Sequence, residues 1–192
     1  MRCFVALEMP DAVREALAAT VERLREAAPR ADVRWVPPGS MHLTLRFLGE
    51  VPEPWLEALV GALAGVAGAH SPIALRLAGV GTFPGPSRPR VVWAGLADGA
   101  AAAGRLAADV DRAVVVLGVR PEARPFRAHV TLGRVRSPRG VRRIVRAIEA
   151  LADASFGHWT AGEMALIRSH LSPHGARYEA LARVALAVVA RP

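Results

Sequence analysis

Two tetrapeptides, His42-Leu43-Thr44-Leu45 and His129-Val130-Thr131-Leu132, stand 87 residues apart in a chain of 192. With 6 His and 5 Thr in the chain, chance gives only about 0.16 His-x-Thr spacings. The same shift aligns the segments around them. In the first pass, Cys3–Glu8 reads as a strand. A helix starts at Pro10-Asp11 with Val13, Leu17, Val21, Leu24 and Ala28 on one stripe. Val33–Val36 is a short strand stopped by Pro37-Pro38-Gly39, Met41–Leu48 a strand, Pro54 a helix start, and Ile73–Val80 a strand. In the second pass, Val91–Leu96 is a strand and Asp98 caps a helix carrying Leu106, Val110, Val114 and Leu117. His129–Val135 is a strand, Val141–Leu151 a helix, and Met164–Ile167 overlays the end of the Ile73–Val80 strand. A final strand is expected over Tyr178–Val189.

A repeat of this length argues for duplicated lobes. The expected fold is α+β, with two similar lobes related by a pseudo-two-fold axis and a central cleft between their sheets. The repeat covers approximately 1–80 and 88–167, with Gly79–Pro89 as the linker, and residues 1–192 make one two-lobed domain. A chain of this size buries roughly 70% of its unfolded surface, enough for a core without staples.

On a strand, alternate side chains share a face. His42 and Thr44 therefore look one way and Leu43 and Leu45 the other, and the second motif repeats this. One face is core; the other offers an imidazole beside a hydroxyl. A lone strand histidine is more often a hydrogen-bonded structural residue, but pairing by repeat, each with its Thr, reverses that balance. Two imidazoles suit in-line displacement at phosphorus, one taking a proton from the attacking oxygen and the other giving one to the leaving oxygen. The Thr hydroxyls can donate to the non-bridging oxygens as their charge grows. No carboxylate or Cys stands at metal-ligand spacing from these residues, so no metal is expected. His170 and His174, separated by Pro173, read as loop histidines. His70 and His158 look ordinary, and Cys3 reads as a small core residue.

The sequence resembles the bacterial and archaeal RNA 2′,3′-cyclic phosphodiesterases, historically 2′-5′ RNA ligases, of the two-histidine phosphoesterase superfamily. The resemblance runs from MRCFVALEMP through VRWVPPGSMHLTLRFLGEV and PFRAHVTLGRVR to LIRSHLSPHGARYEAL. It implies a two-lobed protein whose motifs line a central cleft and which needs neither metal nor nucleotide cofactor. It implies His42 as proton donor to the departing 3′ oxygen, His129 as acceptor from water, and a 2′-phosphomonoester product. Thr44 and Thr131 would hold the phosphate. Phe47 and Arg134, each five residues after its His, would supply an aromatic contact and a phosphate-facing guanidinium. Strict alternation points both away from the His face, so a bulge or strand end must turn them in. Gly133, where Ala is more usual, loosens the second strand.

The charge of +8 fits a phosphate-bearing partner. All 25 basic residues are Arg, which codon bias in a GC-rich genome also explains. Six of them (Arg134, Arg136, Arg139, Arg142, Arg143 and Arg146) cluster after the second motif, as a solvated helix face or as a track for an RNA backbone. The expected substrate is RNA with a 2′,3′-cyclic phosphate end, with reverse 2′-5′ ligation as a further possibility. Small cyclic nucleotides, 2′-5′ linkages or unreactive RNA binding are the alternatives. No apolar run approaches the ~18 residues of a membrane span. Glu8 and Pro10 end the opening apolar stretch too early for a signal peptide. A single Cys excludes a disulfide framework. A cytoplasmic monomer with no membrane association and no obligate protein partner is the expectation.

Overall fold

In a computed structural model, residues 1–172 and 175–187 are described. The chain opens with β1 (Arg2–Leu7) and α1 (Asp11–Ala27), whose Val13, Leu17, Val21 and Leu24 are buried as the stripe predicts. There follow β2 (Val33–Trp35), β3 (Leu43–Glu50), α2 (Leu56–Ala67) and β4 (Ile73–Phe83). The second half supplies β5 (Val91–Asp98), α3 (Ala100–Val116), β6 (His129–Val135), α4 (Val141–Glu149) and β7 (Ser155–Ala161). It ends with β8 (Glu163–Ser172) and β9 (Gly175–Ala185). No helix among the described residues is long and apolar enough to cross a membrane.

The strands form one antiparallel sheet in the order β7-β4-β5-β6-β3-β1-β8-β9, with β2 on β6. This order reads the same from both ends: β6 mirrors β3, β5 mirrors β1, β4 mirrors β8. The expected pseudo-two-fold axis therefore passes between β3 and β6, which meet at a single pair, Leu43 with Val130. The lobes on either side are joined at this seam, and each borrows strand from the other sequence half. First-half β4 lies against β5, and second-half β8 lies against β1.

The helices cover one face of this sheet. Their buried stripes share a core with Val5, Leu43, Leu45, Val130 and Leu132. Leu43 and Val130 are fully buried, and burying each side chain contributes about 2 kcal/mol. On the opposite face a smaller cluster forms from Phe4, Ala6, Ala165 and Ile167 beneath Tyr178.

Several expectations need correction. Asp98 does not cap α3; it ends β5 and pairs with Arg76 at 2.5 Å. Gly99 makes the turn instead, at φ +84°, where a Cβ would lie 2.4 Å from the Ala74 carbonyl oxygen. The expected linker Gly79–Pro89 does not join lobes: its first residues finish β4, and the rest is the turn of the β4–β5 hairpin. His170 lies on β8 and bonds Glu179 at 2.7 Å, while His174 falls outside the described residues. The final strand ends at Ala185, and Val188 and Val189 also fall outside the described residues. Strand β7 is absent from the sequence reading: a bulge at Phe156, opposite Leu77 and Ala78, breaks the alternation that otherwise runs from Gly157 to Ala161.

Candidate active site

The seam between β3 and β6 determines how the two motifs face each other. Leu43 and Val130 are partners in an antiparallel register, so the residues on either side of them are set opposite as well. His42 comes opposite Thr131, and Thr44 opposite His129. Each imidazole is thus set against the hydroxyl of the other motif, on the face away from the helices.

Both strands carry a bulge at the same place in the repeat. On β3, Ala6 faces Thr44 and Val5 faces Arg46, leaving Leu45 as the extra residue. On β6, Trp93 faces Thr131 and Val92 faces Gly133, leaving Leu132. These two leucines are the fourth residues of the two tetrapeptides. Each bulge reverses the alternation beyond it. Phe47, opposite Phe4, and Arg134, opposite Val91, then share the face of the Thr residues. The bulge that strict alternation demanded is present in both halves.

On this face lies a cavity of about 720 Å³ lined by His42, Thr44, Phe47, Thr131 and Arg134. Five of the six residues singled out from sequence therefore converge. His129 does not line it directly. Its ring stands edge-on to Phe83 at 5.0 Å, and its Nδ1 lies 2.6 Å from the Arg127 carbonyl oxygen. A carbonyl only accepts, so Nδ1 carries the proton and Nε2 of the neutral ring keeps its lone pair. Burial holds the His129 pKa below its ordinary value; the bond to Arg127 opposes this, and the Arg134 charge adds to it.

His42 sits in an aromatic box. Phe4 stacks on it at 4.5 Å, and Tyr178 meets it edge-on at 5.2 Å. Burial dominates and drives its pKa down from 6.5 to about 4; the Ser40 backbone and Glu8 pull it up, and His129 pushes it further down. Phe47 remains 53% exposed, with its ring 5.9 Å from that of Phe4, so an aromatic surface faces the opening. Between Leu45 and Phe47, Arg46 turns to the helix side. It bonds Asp111 at 2.5 Å and the carbonyls of Phe47 and Arg120, which anchors the strand behind the site.

Among the lining residues that sequence reasoning missed are Arg2, Phe4, Arg34 and Tyr178. Arg34 pairs with Arg134 across β2 and β6, so the cavity has three guanidinium groups. Gly133 has a packing reason: a Cβ there would come within 2.8 Å of the Trp35 and Val33 side chains of β2. Among the described residues no group of three or more His, Cys, Asp or Glu is gathered to hold a metal ion.

Comparison with known proteins identifies the family of the chain. The family model "LigT like Phosphoesterase" matches twice, over residues 7–93 and 96–178, one match per repeat. An Archaeoglobus fulgidus protein named RNA 2′,3′-cyclic phosphodiesterase is 35% identical over 94% of this chain and 98% of its own. One of the same name from Aeropyrum pernix is 35% identical over 84% of this chain and 92% of its own. A crystal structure of a Thermus thermophilus protein superposes with a TM-score of 0.80 at 33% identity, covering 97% of this chain and 98% of that one. The chain, with its two facing His-x-Thr strands, is a member of the LigT-like phosphoesterase family.

Proposed function

We propose that this protein hydrolyses the 2′,3′-cyclic phosphate at the end of an RNA to a 2′-phosphomonoester. The observation that carries the reading is the Leu43–Val130 pair, whose antiparallel register sets His42 level with Thr131 and His129 level with Thr44. Full-length relatives named for this activity support the substrate class.

His129 Nε2 is the base: its lone pair is free because Nδ1–H is spent on Arg127. It takes a proton from water as the water oxygen bonds to phosphorus. The bond from phosphorus to the 3′ oxygen breaks on the far side, and His42 gives that oxygen its proton. Thr44 and Thr131 donate to the non-bridging oxygens, and Arg134 offsets their charge. The low pKa of His42 means that the empty site holds it neutral at pH 7. A bound phosphodiester brings a negative charge to the ring and raises its proton affinity, so the acid is armed by the substrate. With a 5′-hydroxyl in place of water, the same displacement joins two RNA ends by a 2′-5′ bond.

The test is incubation with a short RNA ending in 2′,3′-cyclic phosphate, in chelator, with the product isomer read by phosphorus NMR. A 2′-phosphate is expected. A 3′-phosphate, or an intact ring, overturns the assignment.

A further inference from the structure

A second cavity, of about 510 Å³, opens beside the candidate site between the β4–β5 hairpin turn and the segment leading from β6 into α4. Ser87, Arg88, Arg90, Arg136 and Ser137 supply its polar lining. Its backbone frame is tied down: Arg90 N–H donates to Phe83 at 2.7 Å, Val135 N–H to Arg90 at 2.9 Å, and Arg136 N–H to Asp32 at 2.8 Å. The three arginines are exposed. Elsewhere Arg46, Arg76 and Arg183 are each held by a carboxylate. Arg88, Arg90 and Arg136, among the described residues, have no carboxylate within ion-pair distance. Three cations around one hollow repel one another, and an anion placed among them relieves that repulsion.

The position of this hollow indicates which anion. Arg134 lines the catalytic cavity and Arg136 lines this one. Two residues apart on an extended chain, they are separated by roughly 6.6 Å, comparable with one nucleotide step of an extended RNA. An RNA whose cyclic end sits at the two histidines can continue only in the 5′ direction. We propose that this pocket holds the backbone phosphate of a nucleotide upstream of the cyclic end. Guanidinium forks and serine hydroxyls suit a phosphodiester. No aromatic side chain lines the pocket, so it grips the backbone and does not read bases. Arg142, Arg143 and Arg146 ride on α4 and are not part of its lining. The inference rests on the reading of the neighbouring site as a cyclic phosphodiesterase.

The test compares a 2′,3′-cyclic mononucleotide with RNAs of two to six nucleotides ending in the same group. Protein variants are the doubles Arg88→Ala/Arg136→Ala and Arg88→Glu/Arg136→Glu, with unchanged thermal melting as the check on folding. The unsubstituted protein is expected to favour the longer RNAs about tenfold in kcat/KM. The alanine double loses that advantage through KM, and its salt dependence flattens by about 0.7 per lost contact. The glutamate double falls further, and mononucleotide turnover stays unchanged in both. Unaltered oligonucleotide kinetics, or an equal loss on the mononucleotide, overturns the pocket assignment. Should the unsubstituted protein hydrolyse neither substrate, the phosphodiesterase reading fails. Fluorescence anisotropy with a labelled RNA then judges the pocket alone: weaker binding by the doubles supports it, and equal binding refutes it.

Discussion

Replacing His42 with a residue that does not titrate measures how strongly the site resists a proton. In the unfolded chain its imidazole titrates near 6.5; in the folded protein burial lowers this to about 4. The unfolded state therefore takes up a proton as pH falls through 6.5, and the folded state does so only near 4. The stability associated with this group is fully present above pH 6.5 and is lost as the pH falls towards 4. The gap corresponds to about 3 kcal/mol. Urea unfolding of the parent protein and His42→Gln, from about pH 7.5 down to about 4.5, isolates this quantity, because all other groups titrate in both. His42→Gln forfeits about 1 kcal/mol of contact with Phe4 and Tyr178 at every pH. Below pH 6.5 the parent should lose stability faster, until the substituted protein equals or exceeds it. Parallel curves would falsify the claim that burial governs this imidazole.

Other outcomes follow from the same geometry. His42→Ala and His129→Ala should each lower turnover about 10²–10⁴-fold, and the double substitution should be little worse than the poorer single one; near-full activity in either single variant refutes its role. Because both imidazole pKa values are lowered, kcat/KM against pH should be a bell centred on the acid side of 6.5. The kcat profile should move upward once phosphate is bound, and limbs of kcat/KM above pH 7 count against the pKa assignments. Activity should survive EDTA, since imidazoles, hydroxyls and Arg134 fill the roles a Lewis acid would take; loss with chelator and recovery with zinc or manganese refutes this. Arg134→Ala should slow mononucleotide and oligonucleotide alike, and an effect confined to the oligonucleotide would move Arg134 out of the catalytic cavity.

Much of this site could be read from the chain because its chemistry is local. His42 with Thr44, and His129 with Thr131, need only strand alternation to share a face, and the repeat is enough to bring the two pairs together. What alternation cannot supply is register. The bulges at Leu45 and Leu132 arise from pairing with β1 and β5, partners distant in sequence, and they decide that Phe47 and Arg134 turn inward. Phe4 and Tyr178 were invisible for a related reason: they come from β1 and β9, and only the order of the sheet brings them to His42. The role of Gly133 was likewise hidden, since it depends on the β2 side chains that press on it.

The exchange of β4 and β8 across the seam has a bearing on ancestry and assembly. Cut at the β4–β5 hairpin, the first half would contain β1 paired with β3, but β4 would have lost the neighbours it has on both sides. Two copies of such a half could satisfy each other only by trading that strand, the geometry of a swapped homodimer. A dyad through the Leu43–Val130 pair would then build one active centre from two identical polypeptides, each giving one imidazole and one hydroxyl. Fusion into a single chain relaxes that constraint. The two imidazoles no longer have to be alike, so one can be boxed in by aromatic rings while the other is tethered to a carbonyl, and an acid and a base can diverge from a common ancestor.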